Sequence, residues 1–167
     1  MGKVFSAAEL SKQVSIDRTS GHTIAMANGC FDVIHVGHVR YLTGAATQAD
    51  RLIVAINDDL SVSMLKGAGR PVVPADERAE LIAAFSVVDY VVLFSTSTVA
   101  ELLSLLRPDV HCKGTDYSVE TVPERDIVQE YGGKTVIVGD PKNHSTEKII
   151  QSITESASRT FGTSGKF

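Results

Sequence analysis

The feature that most constrains the fold is an apolar segment, residues 22–27, which runs into a turn and then into a helical pattern. The dipeptide Asn28-Gly29 that follows the apolar segment is a strong turn signal. Beyond the turn, apolar residues recur at the spacing of one helix face, at Val39, Leu42, Ala46 and Ala49. The segment therefore predicts a strand, a tight loop and a helix, in that order.

Two histidines lie where this helix is predicted to begin. His35 and His38 are three residues apart, so both imidazoles fall on one side of the first turn. The first backbone N–H groups of a helix have no partner within it, and with the positive end of the helix dipole they attract phosphate. Gly37, between the histidines, leaves room for an approaching phosphate. These residues predict a binding site for a polyphosphate.

The rest of the chain alternates apolar strands with amphipathic helices. Further strands are predicted at residues 51–57, 87–94, 110–112 and 134–138, and capping boxes predict helices from Ser6 and from Thr98. This alternation is typical of an α/β protein with a parallel sheet. We expect a single Rossmann-like sheet of about five strands with helices on both faces, and with the first predicted strand central. Ligands would then bind at the carboxyl ends of the strands.

Composition limits the classes of function. The 167 residues suffice for one domain, predicted over 1–155, with a flexible Ser-, Thr- and Gly-rich tail over 156–167. The net charge of -4 argues against a nucleic-acid partner held by a basic face. No apolar run is long enough for a membrane span, and no signal-peptide core is evident. We therefore expect no membrane partner and a cytoplasmic location.

The residues around the two histidines resemble a known family. His35-Val36-Gly37-His38 matches the His-x-Gly-His signature of the cytidylyltransferase-like nucleotidyltransferases, and residues 28–38 (NGCFDVIHVGH) resemble the branch that makes nucleotide-activated heptose. Residues 113–117 (KGTDY) are also similar to a segment of that branch. The second family signature is matched by Ser145-Thr146, although Glu147 stands where a further threonine is usual and Asn143-His144 also departs from the pattern.

The resemblance implies an enzyme that transfers AMP from ATP to a sugar 1-phosphate, D-glycero-D-manno-heptose 1-phosphate, and releases pyrophosphate. It assigns catalysis to His35, His38, Lys66 and Arg78. It assigns nucleotide binding to Gly29, Cys30, Phe31, Gly37, Gly139, His144, Ser145 and Thr146. It assigns acceptor binding to Asp32, Asn57, Asp59, Lys113 and Asp116, although Asn57 and Asp59 could equally take ribose hydroxyls. It also implies Mg²⁺ held by the phosphates, no metal site made by the protein, and a homodimer.

Several alternatives remain open at this point. Within the family, the alternative is glycerol-3-phosphate cytidylyltransferase or another enzyme with a small phosphate acceptor. Glu147 and Asn143-His144 would also suit a nucleotide-binding module without turnover. A dehydrogenase is disfavoured because no Gly-x-Gly-x-x-Gly follows the first strand. A zinc site would need more ligands than the two histidines and the two cysteines provide at these spacings. Arg78 could instead form a surface salt bridge or lie at a subunit interface.

Overall fold

The computed structural model describes residues 2–141 and 145–161. Within them, six strands form one parallel sheet: β1 (Lys3–Phe5), β2 (Ile24–Gly29), β3 (Arg51–Asn57), β4 (Tyr90–Phe94), β5 (Val110–Lys113) and β6 (Lys134–Ile137). The helices are α1 (Ala7–Thr19), α2 (Val36–Ala46), α3 (Asp59–Lys66), α4 (Ala75–Ala83), α5 (Ala100–Leu106), α6 (Arg125–Glu130) and α7 (Thr146–Phe161), with a 3₁₀ turn at Val119–Thr121. None of the helices in this part of the chain combines the length and the apolar character needed to cross a bilayer.

The strand order is β1-β4-β3-β2-β5-β6, and every neighbouring pair is parallel. The chain builds outward from β2 through β3 and β4, then crosses back to place β5 and β6 on the other side of β2. The prediction of a parallel α/β sheet with its first predicted strand central is therefore confirmed. The reversal of direction lies between β2 and β5, and ligands of open α/β sheets bind beside such a reversal, at the carboxyl ends of the strands.

Alternate residues of the same strands face two separate apolar clusters. Ala25 and Ala27 of β2 pack with Leu42 of α2 on one face of the sheet. Ile24 and Met26 pack on the opposite face, in the cluster that contains α1 and α5 residues. A strand that is buried on both faces reads as a continuous apolar run, which is why β2 and β3 were visible in the sequence.

The structure differs from the sequence prediction at several element boundaries. The strand β1 was not predicted, because three residues are too few to show a period, yet it pairs with β4 from Lys3↔Tyr90 to Phe5↔Val92. The capping box at the start of α1 forms as predicted, with Ser6 Oγ accepting from the Glu9 N–H at 3.3 Å. The box predicted at Thr98 does not form, since α5 begins after Val99 without a side-chain cap.

The last helix is longer than the sequence suggested. Residues 156–161, predicted to belong to a flexible tail, continue α7 as far as Phe161, while residues 162–167 lie outside the described part. The polar composition that suggested a tail is compatible with a helix here, because hydroxyls donate to carbonyls one turn back. Ser158 Oγ, for example, donates to the Thr154 carbonyl at 2.9 Å. The helix therefore extends into the predicted tail, and the division into domain and tail stays a prediction.

Candidate active site

A cleft of about 470 Å³ opens at the carboxyl edge of the sheet, where the loops after β2 and β5 meet. Its walls also include the segment after β3, the loop after α3 and the start of α7. Most of the residues predicted to form the site line this cleft: Gly29, Cys30, Phe31, Asp32, His35, Gly37, His38, Asn57, Lys66, Lys113, Asp116, Gly139, Ser145 and Thr146. The fold therefore brings together segments that are more than 100 residues apart in the sequence.

The two histidines stack at the start of α2. The centroids of the His35 and His38 rings are 3.9 Å apart, with an interplanar angle of 25°. His35 caps the helix, because its Nδ1 accepts a hydrogen bond from the Gly37 N–H at 3.1 Å. His38 Nδ1 in turn accepts from the His35 N–H at 3.4 Å. Each ring thus replaces one of the partners that the first turn of a helix lacks.

These two bonds fix where each ring carries its proton. A neutral imidazole that accepts at Nδ1 must be protonated at Nε2, so each ring has an Nε2–H donor. Burial, with a smaller contribution from His35, lowers the pKa of His38 to about 4, so that ring is neutral at pH 7. The helix entry therefore presents neutral N–H donors beside the amides of α2, an arrangement suited to phosphate oxygens.

Phe31 supports this pair from behind. Its ring centroid is 5.2 Å from that of His38, and its side chain is buried. Phe31 adopts φ 48°, which turns the chain sharply between β2 and α2. A Cβ at Gly29 would lie 3.2 Å from the Phe31 ring, so only glycine fits there comfortably. Gly29 and Phe31 therefore shape the loop.

Lys66 lies on the opposite wall, at the end of α3. Its side chain is exposed, and it makes no hydrogen bond or ion pair with any residue in the described ranges. Gly67 and Gly69 follow it with φ of 92° and 81°, conformations that other residues rarely adopt. Lys66 can therefore move relative to the cleft without breaking a contact.

Asp32, predicted to bind the acceptor, is instead committed to the protein. It is 2% exposed, and its Oδ2 accepts from Arg70 Nε at 2.5 Å. Its Oδ1 accepts from the backbone N–H groups of Val72 and Val73 at 2.7 and 2.9 Å. The carboxylate therefore fastens the loop that follows Lys66 to the β2–α2 loop. Three protein donors already bind this carboxylate, so the structure shows Asp32 in a structural role, and its contact with the acceptor stays a prediction.

Arg78, predicted to be catalytic, does not reach the cleft surface. Its side chain is fully buried, with Nη1 donating to the carbonyls of Cys30 and Asn57 at 2.6 and 2.7 Å. Its Nε donates to the Val73 carbonyl at 2.9 Å, and its Nη2 to Asp59 Oδ1 at 2.8 Å. With every donor group engaged and no exposed surface, Arg78 is placed neither to touch the reacting phosphates nor to form a subunit interface.

Arg78 also links two walls of the cleft. Its hydrogen bonds to the carbonyls of Cys30, just after β2, and Asn57, at the end of β3, fix the spacing between the ends of these strands. Asp59 is the ion-pair partner of Arg78 and is not part of the cleft lining, so its predicted substrate contact is not supported. Asn57 remains at the cleft, buried, with its Nδ2 donating to Ser61 Oγ at 3.2 Å.

Lys113 and Asp116 both line the wall of the cleft after β5. Around Lys113 the structure adds contacts with Asn28, Tyr117 and Glu124 that the sequence did not reveal. Lys113 Nζ lies 3.4 Å from Asn28 Oδ1 and 4.9 Å from the centroid of the Tyr117 ring. Glu124, from the segment that precedes α6, approaches Lys113 Nζ to 3.6 Å. Residues two apart in a strand face the same side, so the sequence could have predicted that His111 lies beside Lys113. No sequence pattern near Lys113 indicated that Glu124 would approach it.

The third wall combines the end of β6 with the start of α7. Gly139 has φ 94° and lies so near α2 that a Cβ would be 3.3 Å from Tyr41 Cα. Ser145 Oγ accepts from the Lys148 N–H at 3.3 Å, which makes it the cap of α7, and Thr146 lies beside it. Glu147 is exposed and also lines the cleft. His144, predicted to contact the nucleotide, lies outside the described residues.

Known proteins resemble this chain over most of its length. The model of the cytidylyltransferase-like family matches residues 26–163. The bifunctional protein HldE of Ectopseudomonas mendocina (strain ymp) is 47% identical over 150 residues, which cover 90% of this chain and 32% of that protein. HldE of Syntrophotalea carbinolica is 44% identical over 140 residues, covering 84% and 29%. The chain thus spans about a third of the length of these relatives.

A solved structure shows the same architecture. The crystal structure of the lipopolysaccharide core biosynthesis protein from Thermoplasma volcanium GSS1 superimposes with a TM-score of 0.62 at 25% sequence identity. The match covers 73% of this chain and 100% of that one.

Proposed function

The chain belongs to the cytidylyltransferase-like family, and from this membership and the cleft we propose that it is a nucleotidyltransferase. In this proposal it transfers AMP from ATP to D-glycero-D-manno-heptose 1-phosphate, giving a nucleotide-activated heptose and pyrophosphate. The observation that carries the proposal is the stacked pair His35 and His38 at the mouth of α2, with both Nδ1 atoms occupied by backbone donors.

The chemistry requires little more than positioning and charge neutralisation. A phosphate monoester has a second pKa of about 6, so the acceptor is already a nucleophile at neutral pH and needs no general base. Its oxygen forms a bond to the α-phosphorus of the nucleotide while the bond to the leaving pyrophosphate breaks. The Nε2–H groups of His35 and His38 donate to the phosphate oxygens on which charge develops. Lys66, which has no hydrogen-bond partner among the described residues and is followed by Gly67 and Gly69, neutralises the leaving pyrophosphate.

We include Mg²⁺ in the proposal as a companion of the triphosphate. Among the described residues, no group of three or more histidine, cysteine, aspartate or glutamate side chains is arranged to hold a metal ion. Phosphate oxygens are ligands that Mg²⁺ prefers, so the ion would be held by the nucleotide and would neutralise part of its charge.

The acceptor is proposed from the wall after β5 and from the relatives. Lys113 would meet the phosphate and Asp116 the sugar hydroxyls, since both line the cleft beside the histidines. A sugar acceptor is also in keeping with the structural neighbour from Thermoplasma, a lipopolysaccharide core biosynthesis protein. The alternative within the family is transfer of CMP to glycerol 3-phosphate. We also propose that the protein acts in the cytoplasm as a homodimer, and the exposed apolar residues Leu60 and Met64 of α3 are consistent with an interface.

Pyrophosphate release tests the proposal. ATP, CTP, GTP and UTP are each paired with heptose 1-phosphate, glycerol 3-phosphate and a panel of other sugar phosphates. We expect ATP with heptose 1-phosphate to give the highest kcat/KM, and His38→Ala to lower kcat about 10²- to 10³-fold. His22→Ala is the matched control, because His22 precedes β2 at the other edge of the sheet and does not line the cleft.

Two results would contradict the proposal. Near-normal turnover by His38→Ala would remove the histidine pair from the mechanism. Tight nucleotide binding without pyrophosphate release from any pair would favour the non-catalytic binding module.

A further inference from the structure

A buried ion pair lies behind the acceptor wall of the cleft. Lys113 is 7% exposed and Glu124 is 5% exposed, and Nζ of the first lies 3.6 Å from Oε2 of the second. Glu124 precedes α6, but its carboxylate does not cap that helix. Its Oε2 is buried and has no hydrogen-bond partner among the described residues. The carboxylate therefore faces Lys113 and does not cap the helix beside it.

The contacts of Lys113 Nζ with Asn28 and Tyr117 are with uncharged side chains. Asn28 Oδ1 lies 3.0 Å from His111 Nε2 and 3.4 Å from Lys113 Nζ, so the amide oxygen accepts from both. Burial, reinforced by the charge of Lys113, lowers the pKa of His111 to about 3, which keeps that ring neutral. Tyr117 contributes an aromatic face. Glu124 is therefore the only described residue that places an opposite charge within 4 Å of this ammonium.

Two effects compete at Lys113. Burial lowers its pKa, because the ammonium has lost its water, and the neighbouring carboxylate of Glu124 raises it again. A buried charge that loses its partner is strongly destabilised. Without Glu124, Lys113 would more readily lose its proton and with it the ability to attract an anion.

The contacts also leave room for a further partner. An ammonium has three N–H donors in a tetrahedral arrangement. One is directed to Asn28 Oδ1 and one towards Glu124, while Lys113 also lines the open cleft. The third donor is thus available to a phosphate monoester on the cleft side, with the ammonium already oriented before the phosphate arrives.

We propose that Glu124 is a positioning residue for the acceptor: it holds Lys113 as a charged, oriented ammonium that binds the phosphate of the acceptor. This inference rests on the proposed function, which defines the acceptor. Glu124 acts through Lys113 and does not touch substrate.

The proposal predicts that the effect of Glu124→Gln on the KM for the acceptor changes direction with pH. At pH 7, where Lys113 keeps its proton, removing the carboxylate takes away a competing negative charge, so the KM for the acceptor is unchanged or lower. As the pH rises, the variant loses the Lys113 proton earlier than the wild type does. We expect the ratio of variant to wild-type KM for heptose 1-phosphate to rise about tenfold or more between pH 7 and 9.5, since one pKa unit corresponds to a factor of ten. The KM for ATP should change little.

The experiment combines kinetics with a direct measurement that needs no turnover. The kinetic arm measures both KM values across the pH range for the wild type, for Glu124→Gln and for Glu130→Gln, which removes the same charge from an exposed position on α6. The second arm follows Lys113 by NMR of protein labelled with ¹³Cε-lysine, the signal being assigned with Lys113→Met. Lys113 should titrate at lower pH in Glu124→Gln than in the wild type or the control. Glu124→Asp, which keeps the charge, should restore much of the wild-type profile.

Each outcome bears on the proposal. The inference is overturned if Lys113 titrates alike in the wild type, Glu124→Gln and Glu130→Gln. It is also overturned if the KM values of Glu124→Gln for heptose 1-phosphate and for ATP rise in parallel at every pH. If Glu124→Gln does not fold, a wild-type pH profile in Glu124→Asp supports the inference. Loss of acceptor binding in Glu124→Asp while Lys113 still titrates as in the wild type overturns it. If the wild type turns over no acceptor, the proposed function fails, and the NMR comparison still decides whether Glu124 controls Lys113.

Discussion

Replacing Arg78 by methionine separates a structural arginine from a catalytic one. Methionine has a similar length and is tolerated in cores, but it cannot donate a hydrogen bond. The change leaves the carbonyls of Val73, Cys30 and Asn57 buried without this donor, and Asp59 without its ion partner. Each buried acceptor that loses its partner costs about 1–3 kcal/mol. Because one side chain makes all four contacts, the losses are not additive, and we expect about 3–5 kcal/mol in total.

The assay is thermal and urea unfolding beside steady-state kinetics. For a chain of this size, about 4 kcal/mol lowers Tm by roughly 8–16 °C. Arg107→Met is the control, since Arg107 is exposed and, within the described ranges, its side chain makes a single weak bond, to the Ser104 carbonyl at 3.4 Å. A Tm within about 2 °C of the wild type, together with a hundredfold loss of kcat, would refute this reasoning and return Arg78 to the reacting phosphates.

Three further predictions follow from single contacts. Lys66→Ala should lower kcat at least tenfold without changing Tm, since the side chain has no partner among the described residues; a Tm loss with intact kcat would contradict the interpretation of Lys66 as a mobile lysine. Gly139→Ala should lower the free energy of unfolding by about 1–3 kcal/mol in urea titrations, because of its φ of 94° and the 3.3 Å approach to Tyr41 Cα. His38 and His111 have pKa values lowered from 6.5 to about 4 and about 3, so the unfolded chain binds protons that the folded chain does not. Stability should therefore be complete above pH 6.5 and fall as the pH drops towards 4 and 3, by about 1.4 kcal/mol per pH unit for each ring. His38→Ala should reduce that slope in urea unfolding measured from pH 7 to 4, and an unchanged slope would contradict it.

The sheet could be predicted because its strands are buried on both faces and because turn and cap residues separate them from the helices. The run from Ile24 to Gly29 packs against an apolar cluster on each face of the sheet. A strand buried in this way is a continuous apolar run, which is the pattern that predicts it. The strand β1 escaped prediction because three residues carry no period, and its existence depends on pairing with β4, almost 90 residues away. The Ser- and Thr-rich composition predicts a tail at the end of the chain, but it does not show the extent of α7, because the hydroxyls of these residues can also bond back into a helix.

In the site, too, features set by neighbouring residues could be predicted, and features set by contacts between distant segments could not. The stacked histidines follow from a local rule, since residues three apart at a helix entry must lie on one side, and the geometry agrees. The resemblance to the family places Asp32 at the acceptor and Arg78 near the reacting phosphates. The partners of Asp32 lie 38 to 41 positions away, and those of Arg78 range from Val73, 5 positions away, to Cys30, 48 positions away. Only the folded chain shows that these two charged side chains hold loops together. Asp32 and Arg78 thus act on the cleft through the loops that they hold. Arg78 holds the ends of β2 and β3 and Asp32 holds the loop after Lys66, while His35, His38, Lys66 and Lys113 line the cleft that we propose receives the two phosphates.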